Sequence, residues 1–167
     1  MLAGAVERGS AGAVNGWRAS DRRRLDVGCR QMPDQLPKAL GGPQLRTIAM
    51  PADANAGGSV FGGWTLSQMD LACGSFAAER AGGRVATVSI DAMRFLRPVA
   101  IGDEVSCYCS LGKAGETSVV VKVETWARGR GRGKAAEKVT EGVFTFVAID
   151  DAGHPRPLPE EPKEART

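Results

Sequence analysis

The stretch Asn55–Arg80, NAGGSVFGGWTLSQMDLACGSFAAER, decides how this chain folds. A loop of good turn formers leads into two glycines, Gly62 and Gly63, and apolar residues then recur at intervals of three and four. This spacing predicts one helix over 62–81, closed by the glycine pair that follows it. The helix is apolar on nearly all of its surfaces, so we expect other structure to enclose it.

Outward from this helix, apolar and polar residues alternate in the manner of strands with one buried face. A short strand is predicted from Leu45 to Met50, where Pro51 ends it. Four longer strands follow the helix in a row, at 84–93, 104–111, 117–127 and 139–150. One helix followed by consecutive strands argues for an α+β fold in which the helix lies across a curved antiparallel sheet.

The length of 167 residues suits one domain with a real core. We place this domain at 44–150. Residues 1–43 are rich in Gly, Ala and Arg without a sustained period, and we predict a disordered or loosely structured extension there. Residues 151–167 are charged and rich in proline, so we predict a loose C-terminal tail.

The composition narrows the class of protein. Apolar residues make up 43% and charged residues 25% of the chain, and no apolar run approaches the roughly 20 residues of a membrane-spanning helix. The N-terminal segment lacks the charged-then-apolar pattern of a signal peptide, so we expect a cytoplasmic protein without a membrane partner. A net charge of +3 is too small to indicate nucleic acid by itself. The basic run Arg128–Lys134 lacks the interleaved aromatics of single-strand binding sites, which favours a solvated hairpin loop.

Cysteine and histidine usage removes several mechanisms. The four cysteines have no metal-ligand spacing and are expected to be reduced, buried thiols. The single histidine, His154, lies among prolines near the end of the chain, so a Ser-His-Asp or Cys-His mechanism is not expected. The segment Gly57–Phe61 resembles a nucleophile elbow but lacks its last glycine and its leading strand. Neither a Walker loop nor a dinucleotide fingerprint is present.

The glycines and one acid of the opening stretch carry the candidate chemistry. Free N–H groups at a helix N-terminus, without side chains in the way, suit a carbonyl or oxyanion, although Gly62 and Gly63 could also serve only for a tight turn into the helix. Asp70 lies two turns further, among apolar and small residues, where an unpaired charge is costly. This favours a general base or nucleophile over an acid paired with an arginine or a backbone amide.

The distance along the helix has a consequence for assembly. Eight residues at about 1.5 Å each put Asp70 roughly 12 Å from Gly62. A reacting carbonyl cannot lie within about 3 Å of both on one helix. A second copy of the helix, antiparallel across a two-fold axis, must supply the other half, so the sequence predicts a dimer with shared sites.

Four segments in order closely resemble the bacterial YciA-type, hotdog-fold acyl-CoA thioesterases: LRTIAMPADANAGGSVFGGWTLSQMD, VATVSIDAMRFLRPVAIGDEVSCYC, TSVVVKVETW and VFTFVAID. The resemblance runs from Leu45 to Pro159. It implies a long helix wrapped by an antiparallel sheet, a homodimer with interface sites, and commonly a trimer of dimers. It also implies hydrolysis of fatty acyl-CoA thioesters to free fatty acid and CoA, without a metal or other cofactor.

The resemblance assigns roles residue by residue. Asp70 matches the acid that activates water or attacks the thioester, and Gly62 and Gly63 match the glycines whose amides polarise the carbonyl. Ser59 takes the place of an Asn or Asp that the family usually has before the hydrophobic pair; its hydroxyl could orient water but cannot act as a carboxylate base. The residues matching the substrate-binding positions are Asn55, Phe61, Val88, Ser89, Ile90, Thr117 and Ser118.

Three other functions compete with this interpretation. A hotdog dehydratase or hydratase would need a histidine paired with an acid, and the core has none. An acyl-CoA-binding module without hydrolytic activity is favoured by Ser59. Nucleic-acid binding through the basic loop would require retention on DNA with a steep dependence on salt, and we expect no nucleic-acid partner.

Overall fold

The computed structural model describes residues 41–131 and 134–160. The predicted α+β architecture is confirmed, and the predicted helix coincides with the observed one. Residues 1–40 of the predicted extension, and 161–167 of the predicted tail, lie outside the described residues. The elements, in chain order, are β1 (Leu45–Ile48), a 3-10 turn (Pro51–Asp53), α1 (Gly62–Ala81), β2 (Val85–Phe95), β3 (Glu104–Ala114), β4 (Ser118–Arg128) and β5 (Glu137–Ala148).

The five strands form one antiparallel sheet in the order β1-β3-β4-β5-β2. β2 follows α1 in the chain and pairs with β5, with Val85 opposite Ala148, so that β2 lies at one edge of the sheet. Its register shifts twice, and Ala92 in the second shift has a left-handed φ of 52°. An edge strand carries a row of N–H and C=O groups that no neighbouring strand of its own sheet satisfies.

The helix packs across one face of the sheet and forms the main core. The apolar alternation predicted for β4 supplies Val119, Val121 and Val123, and β5 supplies Phe144 and Phe146, all of them buried. The helix contributes Met69, Ala72, Cys73 and Ala77 from the side that faces them. Burying a phenylalanine or valine side chain contributes about 1.5–3 kcal/mol, so this layer holds the helix firmly in place.

The opposite side of the helix is open in one protomer. Leu71 is 59% exposed, and on the neighbouring edge strand Val88 is 57% and Phe95 53% exposed. The structure therefore encloses α1 on the side that faces the sheet, as expected, whereas the side that carries Leu71 stays exposed. Among the described residues, no helix has the length and apolar character needed to cross a bilayer.

The segment 151–160 differs from the loose tail that its prolines suggested. Arg156 donates from Nη2 to the carbonyl of Ala81, at the last residue of α1, with a distance of 2.9 Å. The Leu158 amide donates to Glu116 O at 2.8 Å, and the Leu158 side chain packs on the main core. Proline prevents regular secondary structure here, but the segment still ties the helix end to the body of the domain.

Candidate active site

The loop before the helix is closed by one side chain. Asn55 Oδ1 accepts hydrogen bonds from the amides of Gly57 and Ser59, at 2.8 and 3.2 Å, and Asn55 Nδ2 donates to Ser59 Oγ at 2.9 Å. Such side-chain-to-backbone bonds are how asparagine fixes a turn. The structure therefore places the predicted residues Asn55 and Ser59 together, with the serine hydroxyl already accepting a hydrogen bond inside the loop.

Gly62 and Gly63 form the exposed first turn of α1. The residue before them, Phe61, makes no side-chain cap, so the first-turn amides keep their capacity to donate to a ligand. A Cβ added at Gly62 would lie 3.3 Å from the ring of Phe95, whereas nothing lies within 4 Å of one added at Gly63. Close packing with Phe95 thus accounts for a glycine at 62, while Gly63 leaves open space for an approaching group.

Asp70 is half-buried two turns further along the helix. Thr87 of β2 donates from Oγ1 to Asp70 Oδ1 at 2.9 Å. A hydrogen bond to an ionised carboxylate is among the stronger ones, and it fixes the orientation of the group. Within the part of the chain that the structure describes, the acid is held by a neutral hydroxyl, and not by the arginine or backbone amide that a purely structural acid was expected to have.

A cleft of about 350 Å³ opens beside this pair. We call it the Asp70 cleft. Its walls are one side of α1, the start of β2 and the ring of Phe146 in β5. Its lining residues are Asp70, Leu71, Gly74, Ser75, Ala78, Arg84, Val85, Thr87 and Phe146.

The remaining predicted binding residues fall into two groups. Val88, Ser89 and Ile90 directly follow Thr87 on the edge strand, where Val88 and Ile90 are exposed and Ser89 Oγ donates to Asp91. Thr117 and Ser118 lie instead at the start of β4, beside the end of β5, and are not among the residues that line the cleft. Gly62 and Asp70 lie eight residues apart on α1, a separation of about 12 Å along the helix axis.

The sequence pattern did not identify Thr87. The alternation in β2 suggested that Ala86, Val88 and Ile90 face the core and that Thr87 faces away. Thr87 in fact lies opposite Phe146 on the helix side, and a register shift between Thr87 and Ser89 breaks the alternation. Its position two residues after Val85, on the same face of the strand, was the available signal.

The cysteines within the described residues are buried and are not candidate nucleophiles. Cys73, Cys107 and Cys109 are free and buried, and the Sγ atoms of Cys73 and Cys109 lie 4.0 Å apart. The hydrogen bond with Cys109, together with burial, raises the pKa of the Cys73 thiol. Burial also raises the pKa of Cys107 to about 11, although the Thr125 hydroxyl acts in the opposite direction. The thiols of Cys73 and Cys107 therefore stay protonated at neutral pH, and the thiolate is the nucleophilic form.

His154 and the basic loop are not among the residues that line the cleft. His154 is on an exposed turn, with its backbone amide bonded to Asp150. In the basic loop, Arg128 pairs with Glu104 at 2.7 Å and Arg130 Nε donates to Gly102 O at 3.3 Å. Within 41–131 and 134–160, no group of three or more His, Cys, Asp or Glu residues is arranged to hold a metal ion.

One long helix wrapped by an antiparallel sheet, with an acid midway along the helix, defines a hotdog-fold protein of the thioesterase class. The thioesterase superfamily model matches residues 57–134. The acyl-CoA thioester hydrolase YciA of Salmonella typhimurium is 50% identical over 117 residues, which cover 69% of this chain and 88% of that protein. The chain belongs to this family, the YciA-type acyl-CoA thioester hydrolases.

Two solved structures are similar in fold and sequence. The hexameric thioesterase from Yersinia pestis has a TM-score of 0.66 and 50% identity, covering 72% of this chain and 97% of its own. The acyl-CoA hydrolase from Staphylococcus aureus, solved with butyryl coenzyme A and coenzyme A, has a TM-score of 0.64 and 29% identity, covering 69% and 70%. Variants of the S. aureus enzyme, with alanine replacing an asparagine, an aspartate or a threonine, have also been solved.

Proposed function

We propose that the protein hydrolyses fatty acyl-CoA thioesters to free acid and CoA. The observation that carries this proposal is the Asp70 carboxylate, oriented by Thr87 at one end of the Asp70 cleft in a protein of the acyl-CoA thioester hydrolase family. In the reaction, an oxygen from water becomes bonded to the carbonyl carbon, the carbon–sulfur bond breaks, and CoA leaves as a thiol.

Asp70 is the general base or the nucleophile of this scheme. Its carboxylate either takes a proton from the attacking water or attacks the carbonyl carbon itself, and the bond from Thr87 to Oδ1 holds it in place. The three residues altered in the S. aureus enzyme are an asparagine, an aspartate and a threonine with the same spacing along the chain as Asn55, Asp70 and Thr87. This coincidence supports catalytic roles around the same loop, helix and strand.

The amides of Gly62 and Gly63 are proposed to stabilise the negative charge that develops on the carbonyl oxygen. Removing one hydrogen-bond donor aimed at that oxygen typically lowers kcat by about 10²–10³-fold. Because Asp70 lies about 12 Å away on the same helix, the glycines that serve one Asp70 come from a second protomer.

A homodimer is supported by the surface of one chain. The edge strand β2 exposes Val88, Ile90 and Phe95, and a second copy of β2 would both pair with its open edge and cover these side chains. Because the similar Yersinia protein is hexameric, we propose that three such dimers assemble into a trimer of dimers.

Substrate contacts are proposed for the residues that the sequence assigned to binding. Asn55 and Ser59 shape the loop before the helix, and Phe61 is exposed beside the oxyanion amides. Val88, Ser89, Ile90, Thr117 and Ser118 are assigned to the groove for CoA. No cofactor takes part in this scheme, and the free, buried thiols suit a reducing cytoplasm.

A second candidate is an acyl-CoA-binding module without hydrolysis. Ser59 favours it, because this serine replaces the family's usual Asn or Asp and its hydroxyl is occupied by Asn55. Incubation with butyryl-CoA separates the two functions, since a binder returns the thioester unchanged whereas the enzyme releases a free thiol.

The deciding experiment is the Asp70→Asn variant, assayed for thiol release with a chromogenic reagent. Loss of the carboxylate is expected to lower kcat by about 10²–10⁴, while CoA binding by calorimetry stays close to wild type. Glu79→Gln, an exposed acid on the same helix, is the matched control. Turnover of Asp70→Asn near the wild-type rate would refute the assignment.

A further inference from the structure

The Asp70 cleft has a direction. Its helical wall consists of residues separated by about one turn, from Asp70 through Gly74 to Ala78. Its strand wall runs back along β2, from Arg84 through Val85 to Thr87. Asp70 and Thr87 are hydrogen-bonded to each other, so they mark one end of the cleft, and Ala78 and Arg84 mark the other.

The length of the cleft follows from these two walls. Eight helical residues from Asp70 to Ala78 span about 12 Å, and three strand residues from Arg84 to Thr87 span about 10 Å. An extended chain of single bonds advances about 1.2 Å per bond, as the backbone does. The cleft therefore has room for a straight chain of about eight to ten carbons.

The chemistry of the walls favours a hydrocarbon chain. Between the two ends the lining is Leu71, Gly74, Ala78, Val85 and Phe146, with one hydroxyl from Ser75. The pantetheine arm of CoA carries two amides, whose burial without hydrogen-bond partners is costly. An acyl chain carries no polar group along its length and suits these walls better.

The far end of the cleft is lined by the Arg84 guanidinium, which already has hydrogen-bond partners. Arg84 Nη1 donates to the carbonyls of Asp150 and Asp151, at 3.4 and 3.3 Å, and lies 3.8 Å from Asp151 Oδ1. Packing a methyl terminus against this guanidinium would remove water from the charge at a free-energy cost. Chains longer than the cleft therefore gain nothing from their last carbons.

We propose that the Asp70 cleft takes the acyl chain of the substrate, and that Ala78 and Arg84 set its upper length at about eight to ten carbons. This inference rests on the proposed thioesterase function and adds the substrate class to it. Each methylene buried in the cleft is expected to raise kcat/KM about fourfold, and this gain stops where the cleft ends.

The test is a series of saturated acyl-CoA substrates from acetyl to hexadecanoyl, with kcat/KM measured for wild type and Ala78→Leu. Leucine adds three carbons at the far end, so the chain length at which kcat/KM stops rising should fall by about three carbons. The ratio of kcat/KM for decanoyl-CoA to that for butyryl-CoA should fall at least tenfold. Glu79→Leu, which adds a leucine at the adjacent exposed position, should keep the wild-type profile.

A milder variant protects the test against misfolding. In Gly74→Ala the new Cβ lies 3.6 Å from Phe146 Cε1, an ordinary contact, and the decanoyl-to-butyryl ratio should fall about fourfold. An unchanged length profile in both variants, or an equal loss at every chain length, would overturn the acyl assignment while leaving the thioesterase function in place. Failure of wild type to hydrolyse any member of the series would overturn the function itself.

Discussion

Replacing Thr87 with valine tests whether one hydrogen bond positions the catalytic carboxylate. Valine keeps the shape of threonine, and so keeps the packing opposite Phe146, but it cannot donate to Asp70 Oδ1. The observed bond is 2.9 Å long and ends on a carboxylate oxygen. Bonds to charged groups are worth about 1.5–3 kcal/mol, so kcat should fall by about 10- to 150-fold.

The assay separates positioning from general damage. Thiol release from an acyl-CoA substrate should show the loss in kcat, with KM within about threefold of wild type, because Thr87 acts through Asp70. Thr87→Ser restores the hydroxyl and should recover most of the rate. Thr47→Val makes the same substitution on β1, at the opposite edge of the sheet, and should behave like wild type.

Two outcomes would refute the positioning role. One is a Thr87→Val enzyme with wild-type kcat, which would mean that the carboxylate needs no help from the strand. The other is a loss that Thr87→Ser does not recover, accompanied by a lowered midpoint of thermal unfolding. That result would assign Thr87 to stability alone.

The remaining predictions concern the oxyanion donor and the buried thiols. Gly63→Pro removes one N–H at the helix start, where proline is tolerated, and should lower kcat about 10²–10³-fold. Gly63→Ala keeps this N–H donor, and its kcat should fall less than tenfold. Co-expression of Gly63→Pro with Asp70→Asn should restore about a quarter of wild-type activity, since each mixed dimer assembles one intact site; activity no higher than either parent would exclude shared sites. Burial raises the pKa of Cys107 from 9.0 to about 11. The stability that the protonated Cys107 thiol contributes is therefore fully present below pH 9, and it falls by roughly 2–3 kcal/mol as the pH rises to 11. Urea unfolding of wild type and Cys107→Ala at pH 8 to 11 measures this loss, and an equal pH dependence in the two proteins would contradict it.

The helix was readable from sequence because its signals are local. Apolar residues at intervals of three and four carry the interior of α1, and Gly82 ends it with a left-handed φ of 60° that glycine adopts without strain. The presence of the strands could also be predicted from local signals, since the alternation in β4 depends on residues two apart.

Strand pairing could not be read in this way. The contact between β2 and β5 joins residues as distant as Val85 and Ala148, and a period of two does not name a partner. The bulge at Ala92 is also invisible in sequence, because alanine carries no preference for its φ of 52°. The position of Thr87 against Asp70 depends on that pairing, so the acid was found without the hydroxyl that orients it.

The packing of 151–160 shows a different limit. Prolines correctly indicate that this segment has no regular secondary structure, but they say nothing about its side chains. Arg156 lies 75 residues after the helix end to which it donates, and its guanidinium takes the place of a local cap on the carbonyl of Ala81. A long-range cap of this kind leaves no periodic signal in the sequence.

One arrangement of two protomers accounts both for the open edge of β2 and for the distance of about 12 Å between Gly62 and Asp70 along α1. If two β2 strands pair antiparallel across a two-fold axis, the two α1 helices also run antiparallel, each over its own half of a joined sheet. The N-terminus of one helix then points along the other helix toward its middle, where Asp70 lies, and the exposed Val88 and Phe95 of β2 are covered in the same step. Pairing of β2 across a two-fold axis would therefore cover the hydrophobic edge and also bring together the two half-sites that we propose.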